Sequence, residues 1–271
     1  MESENEPMVM GLRDEWGSET PFGLTSQERR QHTYVIGQTG TGKSTLLRCI
    51  NRLIDPTEGT ILWDGVDVTA AQGEDLRRIR RQIGMVFQQF NLVKRSSVLS
   101  NVLAGRLGYL PTVPSLLHRF SPADRELALR AMNRVGIGEK ARKQARELSG
   151  GQQQRVGIAR ALMQQPRMIL ADEPVASLDP VLAHSILGHL EVLNREDHIT
   201  VLCSLHYLDL VQRYSNRVIG LRDGRLVWRG TGEDIRRMTD AEFKEIYGDE
   251  AARTNAGRTV EEPRDGVERR A

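Results

Sequence analysis

The chain has 271 residues, 39% of them hydrophobic and 27% charged, so it can bury a full hydrophobic core like an ordinary globular protein. Its 38 lysines and arginines nearly balance 36 aspartates and glutamates, so bulk charge does not point to nucleic acid as a partner. Cys49 and Cys203 form no CxxC pair, which fits a reducing cytosol, and no apolar run approaches the roughly 18 residues of a membrane-spanning helix.

The pattern along the chain predicts an α/β domain. Residues 1–32 are polar, show no clear strands and begin without the basic and apolar regions of a signal peptide, so we expect any membrane role to act through a partner. Buried strands and helices then alternate: the predicted strands are 32–37, 83–87, 168–171 and 199–205, and the predicted helices are 43–54, 76–82 and 180–196. Two Asp-Gly pairs, at 64–65 and 223–224, predict hairpins.

Two stretches depart from this alternation. Residues 91–147 have a helical pattern, with Ser121-Pro122 as a helix start, which indicates a helical insertion in the α/β domain. Beyond Asp249 the residues are charged and small, which predicts a disordered tail.

A phosphate-binding loop is predicted where the first buried strand meets its helix. The run GQTGTGKST at residues 37–45 matches G-x-x-x-x-G-K-[ST], in which glycines let backbone N–H groups surround phosphates. Lys43 would reach the β- and γ-phosphates, and Ser44 would offer its hydroxyl to Mg²⁺. The nucleotide-binding residues expected in this loop are Gly37, Gln38, Thr39, Gly40, Thr41, Gly42, Lys43, Ser44 and Thr45.

Two carboxylates follow the strand predicted at 168–171. Asp172 lies at the C-terminal end of this strand, where ligands of open α/β sheets bind, and would hold Mg²⁺ through water or hydroxyl. Glu173 would polarise the attacking water as a general base. In isolation such an Asp-Glu pair is more often structural, but the phosphate loop favours the catalytic interpretation.

The run LSGGQQQR at residues 148–155 has two adjacent glycines and three glutamines, and no nucleophile or acid–base pair. Glycine backbone and a helix N-terminus both suit an anion, so this run predicts a further phosphate contact.

Taken in order, GQTGTGKST, VFQQ, LSGGQQQR, LADEP, SLDP and the isolated His206 resemble the nucleotide-binding subunits of ABC transporters over about residues 33–248. The resemblance implies a P-loop NTPase fold with a mainly parallel sheet and a helical subdomain. It also implies that two copies pack head to tail, with each ATP between the phosphate loop of one copy and the signature helix of the other. The partner-chain contacts to the γ-phosphate would come from Ser149, Gly150, Gly151 and Gln152.

The resemblance assigns roles to three further residues. Gln88 would sense the metal and the attacking water and link them to the helical insertion. His206 would contact the γ-phosphate and hold Glu173 and the water in line. Asp179 would lie at the dimer seam, although Asp-Pro before a helix is also an ordinary N-cap.

Three longer runs, at 83–112, 120–137 and 169–180, resemble the ATPases of phosphonate import systems. This implies an ATPase on the cytoplasmic face of the bacterial inner membrane, acting as a peripheral homodimer with ATP and Mg²⁺. Its partners would be separate permease subunits and, indirectly, a periplasmic substrate-binding protein, with no nucleic acid. The insertion at about 89–110 would receive a coupling helix of the permease.

The predicted domain organisation is an atypical N-terminal segment at 1–32, an ABC ATPase domain at 33–248 with its helical subdomain at about 91–150, and the tail at 249–271. The family pattern has a β-rich lead-in with an aromatic residue that stacks on adenine, and Trp16 has a suitable spacing for that role. Residues 21–47 resemble the phosphate-loop region of conjugative or secretion-system DNA-pumping ATPases more than that of importer ATPases.

Four other functions stay open. A soluble ABC-type switch ATPase of DNA repair or translation normally carries tandem halves or long coiled-coil insertions, which this sequence lacks. A hexameric DNA motor, suggested by the N-terminal resemblance, leaves LSGGQQQR unexplained and lacks a basic channel-forming stretch. An inactive hybrid would combine that N-terminus with the ABC motifs. A small-molecule kinase would leave the signature and His206 without a role.

Overall fold

A computed structural model describes residues 8–15, 18–24, 32–38, 40–111 and 119–248. The strands are β1 (Met8–Glu15), β2 (Ser18–Leu24), β3 (His32–Ile36), β4 (Leu62–Trp63), β5 (Val66–Asp67), β6 (Ile83–Val86), β7 (Met168–Asp172), β8 (Thr200–Ser204), β9 (Arg217–Arg222) and β10 (Arg225–Gly230). The α-helices are α1 (Lys43–Ile50), α2 (Gly73–Gln82), α3 (Val98–Leu103), α4 (Pro122–Arg134), α5 (Gly150–Leu162), α6 (Pro180–Asp197), α7 (Leu208–Tyr214), α8 (Gly232–Arg237) and α9 (Asp240–Tyr247).

The central sheet has the strand order β10-β9-β3-β8-β7-β6. All its neighbouring pairs are parallel except the β9–β10 hairpin, so the prediction of a mainly parallel α/β sheet is confirmed. The β4–β5 hairpin and the strand character at 32–37, 83–87, 168–171 and 199–205 are confirmed as well. Because β3, β7 and β8 lie next to one another, their carboxyl ends meet at one edge of the sheet.

Hydrophobic cores cover both faces of this sheet. Along β3, Tyr34 and Ile36 belong to one buried cluster, while Val35 between them belongs to the other. Strand residues alternate between faces, so a parallel sheet covered on both sides needs apolar residues in continuous runs. This explains the continuous apolar runs at residues 34–36 in β3 and 168–171 in β7.

Three helices between β6 and β7 pack against one another: α3, α4 and α5. The predicted start at Ser121 is confirmed, because its hydroxyl oxygen accepts a hydrogen bond from the N–H of Asp124 at 3.1 Å and caps α4. The boundary predicted at residue 150 coincides with the first residue of α5, which continues to Leu162. The predicted tail at 249–271 lies outside the described residues.

The N-terminal segment corrects the sequence prediction. The expectation of no clear strands in residues 1–32 was wrong, because β1 and β2 pair in an antiparallel hairpin that closes with Glu15 opposite Ser18. The β1 strand lies beside β4 of the next hairpin. Met8, Val9 and Met10 are consecutive apolar residues and polar residues follow Leu12, so β1 lacks the period-2 alternation that predicts a half-buried strand.

Among the described residues, no helix is both long and apolar enough to cross a membrane.

Close packing at Gly105 predicts a large stability effect. Gly105 lies in a 3₁₀ helix at Ala104–Tyr109, and a Cβ added to it would lie 2.1 Å from the carbonyl oxygen of Arg160 in α5. We expect Gly105→Ala to lower the free energy of unfolding by about 1–3 kcal/mol, measured by urea denaturation, because the packed backbone must move. Gly108→Ala in the same helix is the control, since its nearest neighbour would be 3.8 Å away. Equal effects of the two substitutions would contradict the packing argument.

Buried His32 predicts an acid sensitivity. His32 is 1% exposed, donates from Nε2 to the carbonyl of Leu190 at 2.9 Å, and burial lowers its pKa from 6.5 to about 4. The unfolded chain therefore binds a proton near pH 6.5 while the folded chain does not until about pH 4, so stability falls as the pH drops through this window. From pH 7 to 5 the loss is about 2 kcal/mol.

Urea denaturation at pH 7 and pH 5 tests this expectation. The pH dependence of His32→Gln, which keeps an N–H donor but does not titrate, should be smaller than that of the wild type by about 2 kcal/mol. The exposed His198 supplies the control, His198→Asn. An unchanged pH dependence in His32→Gln would rule out His32 as the source.

Candidate functional site

The predicted phosphate loop connects β3 to α1 and has the backbone that its glycines permit. Gly37 has a φ of +146°, and a Cβ there would lie 2.2 Å from the carbonyl oxygen of Leu221. Gly42, the N-cap of α1, has a φ of +93°. Only glycine adopts such angles without strain, so the close approach of the loop to β9 depends on these residues.

Hydrogen bonds fix this loop to neighbouring elements. The hydroxyl of Thr41 donates to the carbonyl of Gln38 at 2.9 Å, and the N–H of Gly224, in the β9–β10 turn, donates to the carbonyl of Thr41 at 3.2 Å. The side-chain amide of Gln38 donates to the carbonyl of Tyr247 at the end of α9. Gly40 and Thr45 are exposed, and Thr39 lies outside the described residues.

Lys43 lies over the loop. Its Nζ donates to the carbonyl oxygens of Gly37 at 2.8 Å and Gln38 at 2.7 Å, and the residue is only 4% exposed. Burial lowers the pKa of Lys43 to about 8, while the negative charges of Glu173 and Asp172 oppose that change. The ammonium group therefore lies where phosphate oxygens would replace its two carbonyl partners.

The predicted metal ligands Ser44 and Asp172 are in direct contact. The Ser44 hydroxyl donates to Asp172 Oδ1 at 2.6 Å, and the Ser204 hydroxyl donates to the same oxygen at 3.2 Å. Arg48 pairs with Asp172 Oδ2 at 3.2 Å. The carboxylate and hydroxyl oxygens at this position are hard ligands that suit Mg²⁺.

Glu173 and His206 form the second contact pair of the site. The Nε2 of His206 hydrogen-bonds to Glu173 Oε1, and the backbone N–H of Glu173 donates to the Ser204 hydroxyl at 2.9 Å. The hydrogen bond from His206 lowers the pKa of Glu173, aided by the charges of His206 and Lys43 and opposed by burial. A Glu173 carboxylate kept charged in this way can accept a proton or orient a water molecule.

The signature residues lie at the start of α5. The Ser149 hydroxyl accepts from the N–H of Gln152 at 3.4 Å, and the Gln152 side-chain carbonyl accepts from the N–H of Ser149 at 3.1 Å. This capping box satisfies two of the N–H groups at the helix start. In the described part of the chain, none of the hydrogen bonds of these two residues reaches the phosphate loop.

The glycines of the signature also have a packing role that the sequence did not reveal. A Cβ at Gly151 would lie 3.0 Å from Leu182 in α6, and one at Gly150 would lie 3.4 Å from Leu178. Glycine at position 151 therefore allows the start of α5 to approach α6 closely, whereas a Cβ at position 150 would make an ordinary van der Waals contact.

Gln88 and Asp179 are the remaining predicted residues. Gln88 is exposed just after β6. The carboxylate of Asp179 accepts from the N–H of Leu182 at 2.9 Å, so the N-cap alternative considered for Asp179 is present in the structure. Its role at a dimer seam stays a prediction.

The sequence pattern did not predict two residues of the site. Ser204 contacts both Asp172 and Glu173, and Arg48 pairs with Asp172. The sequence signal for Ser204 was a small polar residue at the end of a predicted buried strand, and the structure pairs it in register with Asp172. Arg48 follows Lys43 by five residues on α1, and nothing local distinguishes it from other helix-surface arginines.

Known proteins resemble this chain over most of its length. The family model described as "ABC transporter" matches residues 25–176. The chain is 54% identical over 221 residues to the Phosphonates import ATP-binding protein PhnC of Shouchella clausii, covering 82% of each chain. It is 53% identical to the protein of that name from Staphylococcus saprophyticus, covering 82% of this chain and 85% of the relative.

Solved structures share the fold. A dimeric structure of a bacterial ABC transporter cassette matches with a TM-score of 0.66 and 31% identity, over 84% of this chain and 97% of that one. An ATP-binding cassette of an ABC transporter in its ADP conformation matches with a TM-score of 0.73 and 27% identity, over 88% of this chain and 96% of that one.

Proposed function

The chain belongs to the ABC transporter ATP-binding family, and from this premise we propose that it is the ATP-hydrolysing subunit of a phosphonate importer. The relatives at 53–54% identity are phosphonates import ATP-binding proteins, which supports phosphonate or a related phosphorus oxyanion as the transported substrate. The observation that carries the ATPase assignment is the convergence of Lys43, Ser44, Asp172 and the Glu173–His206 pair at the phosphate loop.

The chemistry follows from this geometry. Lys43 would bind the β- and γ-phosphates in place of the loop carbonyls that it now contacts. Glu173, charged and held by His206, would orient a water molecule for in-line attack on the γ-phosphate and accept its proton. His206 would keep the Glu173 carboxylate directed at that water. Most of the rate enhancement would come from positioning and charge stabilisation.

Magnesium fits the oxygen ligands of this site. Ser44 and Asp172 would hold it, and Gln88 is the third predicted ligand. When bound, Mg²⁺ supplies charge neutralisation at the phosphates. Arg48 pairs with Asp172 Oδ2 in the structure, so in that state it would either leave this oxygen or share the carboxylate with Mg²⁺.

The active unit is a homodimer in this proposal. The start of α5, with Ser149, Gly150, Gly151 and Gln152, would contact the γ-phosphate bound to the partner copy, and Asp179 would lie at the seam between copies. The backbone N–H groups of a helix start suit this anion. The match to a dimeric cassette structure supports the arrangement.

The proposed partners are membrane proteins. The dimer would bind separate permease subunits at the cytoplasmic face of the inner membrane and, through them, work with a periplasmic substrate-binding protein. A cavity of about 260 Å³ between α2, the 3₁₀ helix at Ala104–Tyr109 and α5 would receive a permease helix. Its lining includes Leu53, Arg80, Phe87, Gly105 and Arg160.

Adenine binding is assigned to the N-terminal hairpin. The β1–β2 pair provides the β-rich lead-in that the family pattern contains. Trp16, which lies outside the described residues, stays the candidate for stacking on adenine. This assignment favours an active ATPase over the inactive hybrid considered from the sequence.

A growth experiment tests the function. The gene would be expressed with candidate permease and binding-protein genes from the same genome, in a host that lacks phosphonate uptake, with a phosphonate as the sole phosphorus source. We expect growth that depends on all three components, and ATPase activity of the purified chain that rises with protein concentration. No growth on phosphonates would reject the substrate. Recovery of the chain with ribosomes or DNA instead of membranes would favour the soluble switch ATPase.

A further inference from the structure

Five exposed cationic side chains form a patch on the helical region. The first two, Lys94 and Arg95, precede α3, and the other three, Arg142, Lys143 and Arg146, precede the signature run. Far apart in sequence, the two segments are joined by backbone hydrogen bonds. The N–H of Arg146 donates to the carbonyl of Lys94 at 3.0 Å, and the N–H of Val98 donates to the carbonyl of Lys143 at 2.8 Å. We call these five residues the basic patch.

The two segments of the basic patch carry a larger net positive charge than the chain as a whole. Residues 93–99 and 139–148 together contain six lysines and arginines against two glutamates, a net charge of +4, whereas the whole chain carries +2. In the described ranges no member of the patch lies within ion-pair distance of a carboxylate, while most arginines of α2 and α4 have such partners. Uncompensated like charges repel one another, so this concentration opposes folding unless an anionic group binds it.

The patch is held rigidly. The buried side chain of Asn101 accepts from the N–H of Val93 at 2.8 Å and donates to its carbonyl at 3.1 Å, which fixes the segment that carries Lys94 and Arg95. A bridge between Ser97 and Gln144 fixes the second segment against the first. The backbone positions that carry the cationic side chains are therefore held at fixed distances from one another. This arrangement suits carboxylates at defined positions on a folded partner.

Exposed apolar surface adjoins the patch. Val93 is 64% exposed directly before Lys94. A centre of apolar contact surrounded by charged groups is the usual composition of a protein interface. Neither segment contains the aromatic side chains on which nucleic acid bases stack, which argues against a single-stranded nucleic acid.

The position of the patch identifies the partner. Lys94 and Arg95 lie between Gln88 and the cavity-lining Gly105, within the segment proposed to receive the permease. Arg146 lies three residues before Ser149, the N-cap of the signature helix. Arg160, which lines the cavity, donates to the carbonyl oxygens of Phe90 at 3.0 Å and Asn91 at 2.6 Å, so the cavity wall is bonded to the segment that continues into Lys94.

We propose that the basic patch binds an acidic cytoplasmic segment of the permease, adjacent to the helix that enters the cavity. This inference rests on the proposed function for the existence of a permease, but not on the identity of the transported substrate. The pairing would set which permease this ATPase accepts, because charge complementarity governs specificity and encounter rate more than total affinity.

Binding to membranes tests the proposal. The probes are membranes that contain the permease partner identified by the growth experiment, the same membranes without it, and vesicles of equal parts phosphatidylglycerol and phosphatidylcholine. The test variant is Lys94→Glu/Arg95→Glu/Arg146→Glu. The control, Arg125→Glu/Arg213→Glu/Arg236→Glu, makes the same change in net charge at exposed arginines elsewhere. Affinity is measured by co-sedimentation at low and high salt.

We expect the test variant to lose at least about tenfold in affinity for permease membranes, because three attractive charges become repulsive. The control should stay within about twofold of the wild type, and the wild-type affinity should fall as salt rises. Selection for restored recruitment of the test variant should yield permease substitutions that remove or reverse acidic residues in one cytoplasmic segment.

The other outcomes are equally decisive. Recruitment of the test variant equal to that of the wild type would overturn the proposal. So would patch-dependent binding to the phosphatidylglycerol vesicles that equals binding to permease membranes, since the ligand would then be lipid. If the test variant loses the ATPase activity of the isolated chain, Arg142→Glu/Lys143→Glu probes the same patch from its second segment. Failure of phosphonate uptake with intact recruitment would reject the substrate while leaving this inference in place.

Discussion

Replacement of Glu173 by Gln should lower steady-state ATP hydrolysis at least about tenfold, which corresponds to at least 1.4 kcal/mol of barrier. The substitution preserves the size of the side chain and a hydrogen-bonding oxygen near His206, but removes the charged base at the site. ATP should still bind, because Lys43 and the phosphate loop are unchanged. Since the nucleotide persists, the variant should form an ATP-dependent dimer that can be measured by size-exclusion chromatography with light scattering.

The matched control is Glu58→Gln, which makes the same chemical change at an exposed surface position. Its hydrolysis rate and oligomeric state should match those of the wild type. Near wild-type turnover in Glu173→Gln would contradict the assignment of the general base. A strictly monomeric Glu173→Gln at saturating ATP would contradict the proposed shared site, whatever the rate.

Replacement of Lys43 by Ala should lower both nucleotide affinity and hydrolysis, each at least about tenfold. The ammonium group lies at the phosphate loop and joins the two ends of the loop by its bonds to the carbonyl oxygens of Gly37 and Gln38. The variant therefore loses the positive charge that would contact the phosphates, and it loses two hydrogen bonds that hold the loop in its conformation. Fluorescence titration with a labelled nucleotide and a steady-state assay measure the two effects separately.

Two further substitutions serve as comparisons for Lys43→Ala. Lys43→Arg retains the charge but not the compact ammonium, so we expect it to recover binding only in part. Lys140→Ala, at a partly exposed lysine that pairs with Glu139 away from the phosphate loop, is the control and should not change nucleotide affinity. Unchanged nucleotide affinity in Lys43→Ala would show that the phosphates bind elsewhere.

The local part of the site could be predicted because its signals are short-range. The glycine spacing of the phosphate loop reports backbone angles that other residues disfavour, and the structure gives Gly37 and Gly42 those positive φ values. Asp172 was placed correctly at the end of a strand because an uninterrupted apolar run has few alternatives to a buried parallel strand. The Asp-Gly turns predicted both hairpins for a similar reason.

Where the local signal was weak, the prediction was wrong or incomplete. The β1–β2 hairpin was missed because its sequence lacks a period-2 apolar alternation and its pairing is decided by partners across the turn. The helix predicted at 43–54 ends at Ile50, and Arg52 has a φ of +57° while its guanidinium donates to the carbonyl of Val68 at 2.7 Å. That contact depends on the β4–β5 region, which a local helix pattern does not include.

The sequence by itself determined the class of this protein, the positions of its phosphate loop and acidic pair, and the family to which it belongs, because these depend on residue types at fixed short spacings. Only the tertiary structure decided that Ser204 joins Asp172 to Glu173, that Gly151 packs on α6, and that the two segments of the basic patch lie side by side. Those contacts connect distant residues through sheet register and helix packing, and no local pattern encodes such distances.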